Sequence, residues 1–327
     1  MHENSTEENA SMPHNVCYPV ATLTLNPCLD VGYELEELIE DQKAKASHVR
    51  FDPGGNGVNV GRVLKRLDIP AVNCCLLGGK IGEFVESLLQ GELENLRAVR
   101  IRNETRVNCG IVTERPKAQF EIDAVGPLVS PERIEEIKTM FLTEAGSGIG
   151  VITGSVPPGV PDTIYAELTD AIKRQGGKAV VDAKGPLLQK TLEHGPFLIK
   201  PNRYELEMLC GKKLSQLVDV GREAMRLHQT GVEHVCVSLG GEGALIAGET
   251  GIYHATAPSV QVRSTVGAGD SLVAGIVGAL ACGKSPEDAL SQGIGCGTAT
   301  ASKPGTQVFE PDDANLFAMV TLTKIDI

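Results

Sequence analysis

Nine cysteines occur without a single C-x-x-C pair, which removes the usual spacing of a structural zinc site or a redox dithiol. No apolar run reaches membrane-spanning length. Positive charge is scarce: 30 Lys and Arg stand against 42 Asp and Glu, and the net charge of -12 argues against nucleic acid as a partner. An anionic small molecule stays open, because a local basic pocket can sit on an acidic protein. The P-loop pattern G-x-x-x-x-G-K-[ST] is missing, as are H-E-x-x-H and G-x-S-x-G. The seven histidines show no metal-ligand spacing, and there is neither an internal repeat nor a low-complexity segment. The start, "MHENSTEENASMPHN", has no apolar segment and is not a secretory signal, so residues 1–17 read as a disordered extension. The odd cysteine count in a chain of this length fits reduced thiols in a cytoplasm, most of them small core residues.

With 42% hydrophobic and 22% charged residues, the chain reads as a soluble globular protein with a sizeable core. Residues 18–327 form one domain on this reading. "YPVATLTL", "AVNCCLL", "GIGVITG", "KAVVDA", "FLIK" and "HVCVSL" are apolar, β-branched runs that read as strands. Helical patterns alternate with them, among them "GVNVGRVLKRL", where Val60, Val63, Leu64 and Leu67 share a face. Repeated strand–helix units imply an α/β fold: a three-layer, mostly parallel sheet with helices on both faces. Stretches near 31–52 and 97–123 read as strands without intervening helices, and they imply a small β-sheet lid beside the main sheet. Ligands in such folds bind beyond the carboxyl ends of the strands. The loops "NPCLD", "TGSVPPG", "DAKG", "KPNRYE", "SLGGEG" and "STVGAGDS" therefore become the candidate site.

"STVGAGDS" carries the most chemistry. Gly267 and Gly269 let backbone N–H groups converge, and a helix starting near Gly269 adds partial positive charge, which together suit a phosphoryl group. An acid beside such a site, Asp270, either caps the helix or takes the proton from an attacking hydroxyl. In "KPNRYE", Asn202 and Glu205 share a helical face and suit Mg²⁺ and its waters, or else form a cap with a solvated acid. Ser238, Gly240 and Gly243 in "SLGGEGAL" fit either close approach of a nucleotide or an ordinary hairpin turn. "DPGGNGVNVGRVLKRL" superficially matches a dinucleotide fingerprint, but the preceding "HVRFDP" is a poor buried strand; a glycine turn with Asn59 could instead hold sugar hydroxyls.

Five motifs in register, "GGNGVNVGRVLKRLD", "TGSVPPGVP", "KPNRYELE", "VSLGGEGAL" and "STVGAGDSLVAG", resemble the ribokinase-like (pfkB-type) carbohydrate kinase family from about Tyr18 to about Pro311. "TLTLNPCLD", "GSVPPGV" and the Ser before "TVGAGD" are most similar to its sugar-phosphate branch: 6-phosphofructokinase, 1-phosphofructokinase and tagatose-6-phosphate kinase. The resemblance implies a ribokinase-like fold and transfer of phosphate from ATP to a phosphorylated ketohexose, with Mg²⁺ and, as a further candidate, a monovalent cation such as K⁺. It implies Asp270 as general base and Gly267, Ala268 and Gly269 as the anion hole. Asp30, Gly54, Gly55 and Asn59 fall on sugar-binding positions, and Lys43, Arg106 and Ser155 on positions near the sugar and its phosphate. Lys200, Asn202, Glu205, Ser238, Gly240, Gly243 and Ser264 fall on the nucleotide and metal side, and Thr298 near the adenine pocket. Arg106 suits a phosphate because a guanidinium grips it bidentately. An open lid face implies a homodimer paired through the lid sheet. Two positions depart from the branch patterns: Asn56, where glycine or lysine is usual, and Tyr204, where the minor 6-phosphofructokinase pattern has lysine. Alternatives that the residues leave open are a kinase for an unphosphorylated sugar or nucleoside and a non-catalytic binder.

Overall fold

The computed structural model describes residues 17–326. In chain order, β1 (Val20–Thr24), β2 (Cys28–Leu35) and β3 (Ala46–Gly54) lead to α1 (Asn56–Arg66). Then follow β4 (Ala71–Gly78), α2 (Gly79–Leu89), β5 (Asn95–Ile101), β6 (Arg106–Glu114), β7 (Lys117–Ile122) and α3 (Pro131–Ala145). The middle of the chain is β8 (Ile149–Thr153), α4 (Ile164–Arg174), β9 (Lys178–Asp182), α5 (Pro186–Leu192), β10 (Leu198–Ile199), α6 (Arg203–Cys210) and α7 (Leu217–Gln229). It closes with β11 (His234–Ser238), β12 (Ala244–Gly248), β13 (Gly251–Thr256), α8 (Ala268–Ala281), α9 (Pro286–Ala301) and β14 (Thr321–Ile325).

Ten strands form the main sheet in the order β14-β13-β12-β11-β10-β9-β8-β1-β4-β5. From β5 to β11 every pairing is parallel, and the last three are antiparallel. Every residue of β1 and β8 is buried, as expected of strands covered on both faces. On one face lie Ile137 and Phe141 of α3, Leu168 of α4 and Val220 of α7; on the other lie Val63 of α1, Val273 and Ile276 of α8 and Ala289 of α9. The three-layer α/β architecture is thus as the alternation implies.

β1 is flanked by β4 on one side and β8 on the other, so the direction of winding reverses there. A crevice at the carboxyl ends of the strands opens at such a switch point. The lid, a four-stranded sheet in the order β3-β2-β6-β7, stands over it. It is joined to the switch point directly, because only three residues separate the end of β1 from the start of β2.

The structure corrects two readings. The strand "RAVRIR" is not part of the lid. It lies in β5, paired parallel to β4 at the edge of the main sheet, because α2 makes β4 and β5 an ordinary crossover unit. The lid is therefore β2, β3, β6 and β7. Nor are all the cysteines reduced: Cys17 and Cys282 form a disulfide across 265 residues of sequence, and the other seven are free. The two meet because the backbone N–H of Tyr18 donates to Ala281 at 2.8 Å, which brings the start of β1 to the end of α8. The extension expected over 1–17 otherwise lies outside the described residues. Among the described residues, no helix is long and apolar enough to cross a membrane.

The buried helix α8 is built of small residues for a geometric reason. A Cβ on Gly275 would lie 2.7 Å from the Cα of Gly293, so α8 and α9 approach at backbone distance. That contact fixes the height of α8, and with it the position of its first turn at the crevice.

Candidate active site

A cavity of about 1070 Å³ separates the lid from the carboxyl ends of the main strands. β1, β8, β9 and β10 contribute to its wall at or just beyond their carboxyl ends: Asn26 after β1, Ser155 after β8, Asp182 at the end of β9 and Lys200 after β10.

The N-terminus of α8 opens into this space. Gly267 adopts the left-handed conformation, φ 77°, at the N-cap, and no side chain caps the first turn. Ala268 N–H turns back to the Thr265 carbonyl at 3.4 Å and Ser271 N–H to the Gly267 carbonyl at 2.9 Å, which leaves the N–H groups of Gly269 and Asp270 for an anion, and the helix dipole adds to their pull. Asp270 sits in that same first turn, but its carboxylate does not cap the helix; it is buried and accepts from two amides on α1. Asn59 Nδ2 donates to Oδ2 and Asn56 Nδ2 to Oδ1, both at 2.8 Å. Burial pushes the Asp270 carboxyl up to about 6, and the nearby Asp182 charge adds to this, against the two amides and the Lys200 ammonium. A carboxylate tuned this way is mostly ionised at neutral pH and more basic than an exposed one, as proton acceptance requires.

Lys200 and Asp182 form a buried ion pair at 3.2 Å. Burial works to discharge Lys200, but Asp182 prevails and holds the ammonium above its ordinary range. Burial likewise holds the Asp182 carboxyl above the usual carboxylate range despite Lys200. Glu205 also lines the cavity. It forms a capping box with Asn202: Asn202 N–H donates to Glu205 Oε2 at 2.9 Å, and Glu205 N–H donates to Asn202 Oδ1 at 2.8 Å. Among the described residues, no group of three or more His, Cys, Asp or Glu could enclose a metal. The donor set fits Mg²⁺ only as that ion commonly binds, through one carboxylate, waters and a substrate's phosphates.

The lid supplies the opposite wall. Strand register sets Asp30 against Asp52 on β3 and against Asn108 on β6. Asn108 Nδ2 donates to Asp30 Oδ1 at 3.0 Å, and Cys28 Sγ donates to the same oxygen at 3.2 Å. Burial holds the Asp30 carboxyl above its usual range against both donors. Arg106 donates from Nε to the Asn26 carbonyl (3.1 Å) and from Nη1 to the Ala124 carbonyl (2.9 Å). Those bonds fix the guanidinium plane and leave further N–H groups to meet an anion in the cavity. Ser155 stands near it, its Oγ accepting from Asn26 Nδ2 at 3.1 Å.

The family model described as pfkB family carbohydrate kinase matches residues 23–313. The chain belongs to the pfkB family of carbohydrate kinases. It is 32% identical over 292 residues to the 1-phosphofructokinase of Bacillus subtilis, covering 89% of this chain and 95% of that one. Two crystal structures of phosphofructokinase-2 from Escherichia coli, one with potassium and one with substrates and products, each superpose with a TM-score of 0.88 at 32% identity. Each alignment covers 92% of this chain and 99% of the other.

In this pfkB-family kinase, the residues expected at the site divide into two groups. Asp30, Gly55, Asn59, Arg106 and Ser155 share the cavity wall with Lys200, Glu205, Gly267, Gly269 and Asp270. Gly54 lies beneath Asp30, where a Cβ would come within 2.2 Å of Asp30 Oδ2. Lys43 is instead exposed on the β2–β3 loop, off the wall. Asn202, Ser238, Gly240, Gly243, Ser264, Ala268 and Thr298 do not reach the wall either. Asn202 bridges to Ser238. Gly240 and Gly243 form the tight turn between β11 and β12, with Leu239 N–H donating to the Gly243 carbonyl at 2.8 Å, so the hairpin reading describes their local structure. Ser264 is buried and its Oγ accepts from Val266 N–H; Thr298 is buried on α9. Asn56, Asp52, Asn108 and Asp182 line the cavity without having been assigned a site role from sequence. Period-2 alternation from Asp30 and Arg106 was the available signal for the lid residues. Asp182 ends an apolar strand on an acid.

A carboxyl raised by burial weakens the fold once it ionises. The native state resists ionising Asp270 until about pH 6, whereas the unfolded chain ionises nearer pH 4. The stability present below pH 4 is therefore lost as pH rises through 6, by about 3 kcal/mol for a displacement of roughly two pH units. Asp270→Asn should gain on wild type by this order between pH 4 and pH 7 in urea unfolding; a difference that stays constant with pH would show that Asp270 keeps an ordinary pKa.

Proposed function

We propose that this kinase transfers the terminal phosphoryl group of ATP to a hydroxyl of a phosphorylated ketohexose. The best candidates are fructose 6-phosphate and fructose 1-phosphate, with fructose 1,6-bisphosphate as the product. The observation that carries the proposal is that one cavity is walled by both a buried carboxylate at an open helix N-terminus and a fixed arginine. The first is what hydroxyl activation needs, and the second is what a phosphate already on the sugar needs. The similarity to 1-phosphofructokinase and phosphofructokinase-2 supports the same substrate class.

In this mechanism Asp270 accepts the proton of the attacking hydroxyl as its oxygen bonds to phosphorus and the bond to the departing ADP breaks. The N–H groups of the first turn of α8 bear the charge on the transferring group. Asp30 and Asn59 hold sugar hydroxyls, and Arg106 with Ser155 holds the sugar's phosphate. Lys200, kept charged by Asp182, attracts the nucleotide's phosphates. Mg²⁺, when bound with ATP, would neutralise charge between phosphates, with Glu205 reaching it through water. The potassium in a related structure supports including a monovalent cation among the cofactors. The lid completes the enclosure and excludes water.

The outer lid face exposes Val107, Phe120 and Ile122, each more than 40% accessible, on the side opposite Arg106 and Asn108. We extend the proposal to a homodimer that covers this face. Phe120→Lys should convert a dimer to a monomer in sedimentation velocity; a wild-type monomer at micromolar concentration would contradict it.

Asp270→Asn should lower turnover by about two to four orders of magnitude while ATP still binds; near-normal turnover would remove Asp270 from the mechanism. Arg106→Ala should raise KM for the sugar phosphate far more than for ATP, and equal effects would mean Arg106 does not read the sugar's phosphate. A panel of fructose 6-phosphate, fructose 1-phosphate, tagatose 6-phosphate, ribose, fructose and adenosine should give turnover with a ketohexose phosphate, and preference for an unphosphorylated acceptor would overturn the substrate class.

A further inference from the structure

Asp270 is held at both carboxylate oxygens by amides from one helix turn, since Asn56 and Asn59 stand three residues apart on α1 and share a face. The two amides are secured differently. Asn59 is buried, and the guanidinium of Arg62 stands 3.5 Å from its Oδ1 while donating to Glu92 Oε2 at 3.1 Å. A guanidinium only donates, so Asn59 must turn its Nδ2 toward Asp270. Asn56 is half-buried, opens α1 and lines the cavity. It reaches Asp270 past Gly154, where a Cβ would come within 2.9 Å of Asn56 Oδ1.

We propose that Asn56 is a positioning residue for Asp270, its amide keeping the carboxylate aimed and ionised for proton acceptance. The inference rests on the reading of Asp270 as the general base. A donor to the charged form of an acid favours that form. An amide does this without the full positive charge of an adjacent lysine or arginine, which would pair with the base and blunt its basicity. The other groups facing Asp270 leave this role open. Asp182 disfavours the charged form and Lys200 favours it, and these two largely engage each other. α9 faces α8 with the Thr300 hydroxyl, which is bonded to Ser271, and the Arg62 cation on α1 is paired with Glu92. Both amides border the cavity, but Asn59 is held from behind by Arg62, and Asn56 is the one whose side chain is committed to Asp270 alone among the hydrogen bonds of the described residues.

The test is the pH profile of kcat and KM for the full chain, from pH 5 to 9, with ATP and the ketohexose phosphate that the substrate panel selects. Asn56→Ala should move the acid limb of kcat upward by about half to one pH unit. Its deficit should be roughly two- to fivefold near pH 6, rise to about three- to tenfold at pH 5 and vanish above pH 8. Asn56→Asp should move the limb further in the same direction, because a second carboxylate beside the first disfavours its ionisation; an acid in the first helical turn is itself well tolerated. A limb that stays in place, a loss equal at all pH values, or a KM change with kcat intact would each overturn the proposal. Urea unfolding gives a readout without turnover: Asn56→Ala should alter the pH dependence of stability in the wild-type background and not in Asp270→Asn. If Asp270→Asn retains turnover, the base assignment itself fails. If Asp270→Asn is inactive and the Asn56 variants leave the limb unmoved, only this inference fails.

Discussion

A carboxylate buried in the first turn of a helix, beside N–H groups that attract anions, is the constraint around which this molecule is arranged. Burial disfavours its charge, and the helix terminus favours charge of the same sign on a neighbouring ligand. The protein resolves the conflict with neutral donors. Two amides from α1 grip the carboxylate, while Lys200, the cation that acts on it, is engaged by Asp182. Asp270 is thereby left basic enough to accept a proton and ionised enough to be ready for it at neutral pH.

The fold places these groups through its winding. Reversal at β1 opens a crevice, and successive parallel strands deliver Ser155, Asp182 and Lys200 to its rim. The close backbone contact of α8 with α9 sets the height at which Asp270 meets that rim. The lid grows out of the chain just past β1, so the residues on the lid side of the cavity are carried on strands whose register is tied to the switch point. One wall is thus anchored in the three-layer core and the other in a small sheet, with the cavity between them.

Much of this was legible in the sequence because strand-end loops are local. "KPNRYE" and "GSVPPG" place polar groups directly after an apolar run, and "STVGAGDS" places two glycines and an acid directly before one, so period and loop chemistry together reveal them. What stayed hidden depends on contacts distant in sequence. Asn56 lies 214 residues from Asp270, and only the packing of α1 against α8 brings them together. Cys17 and Cys282 are joined across 265 residues, so no spacing rule reveals the pair. The edge strand β5 resembles the lid strands in composition, and only the helix before it marks it as part of the main sheet. For Asn202 and Glu205 the loop taken alone favoured the cap and only the company of the other loops favoured a ligand; the structure shows the cap and still leaves Glu205 on the cavity wall.

The most direct test of the central claim is the titration of Asp270 itself, followed by its ¹³C-carboxyl resonance in the substrate-free protein and assigned by its loss in Asp270→Asn. The account predicts a midpoint near 6. A midpoint in the ordinary range near 4, or a carboxylate that stays ionised throughout, would contradict it.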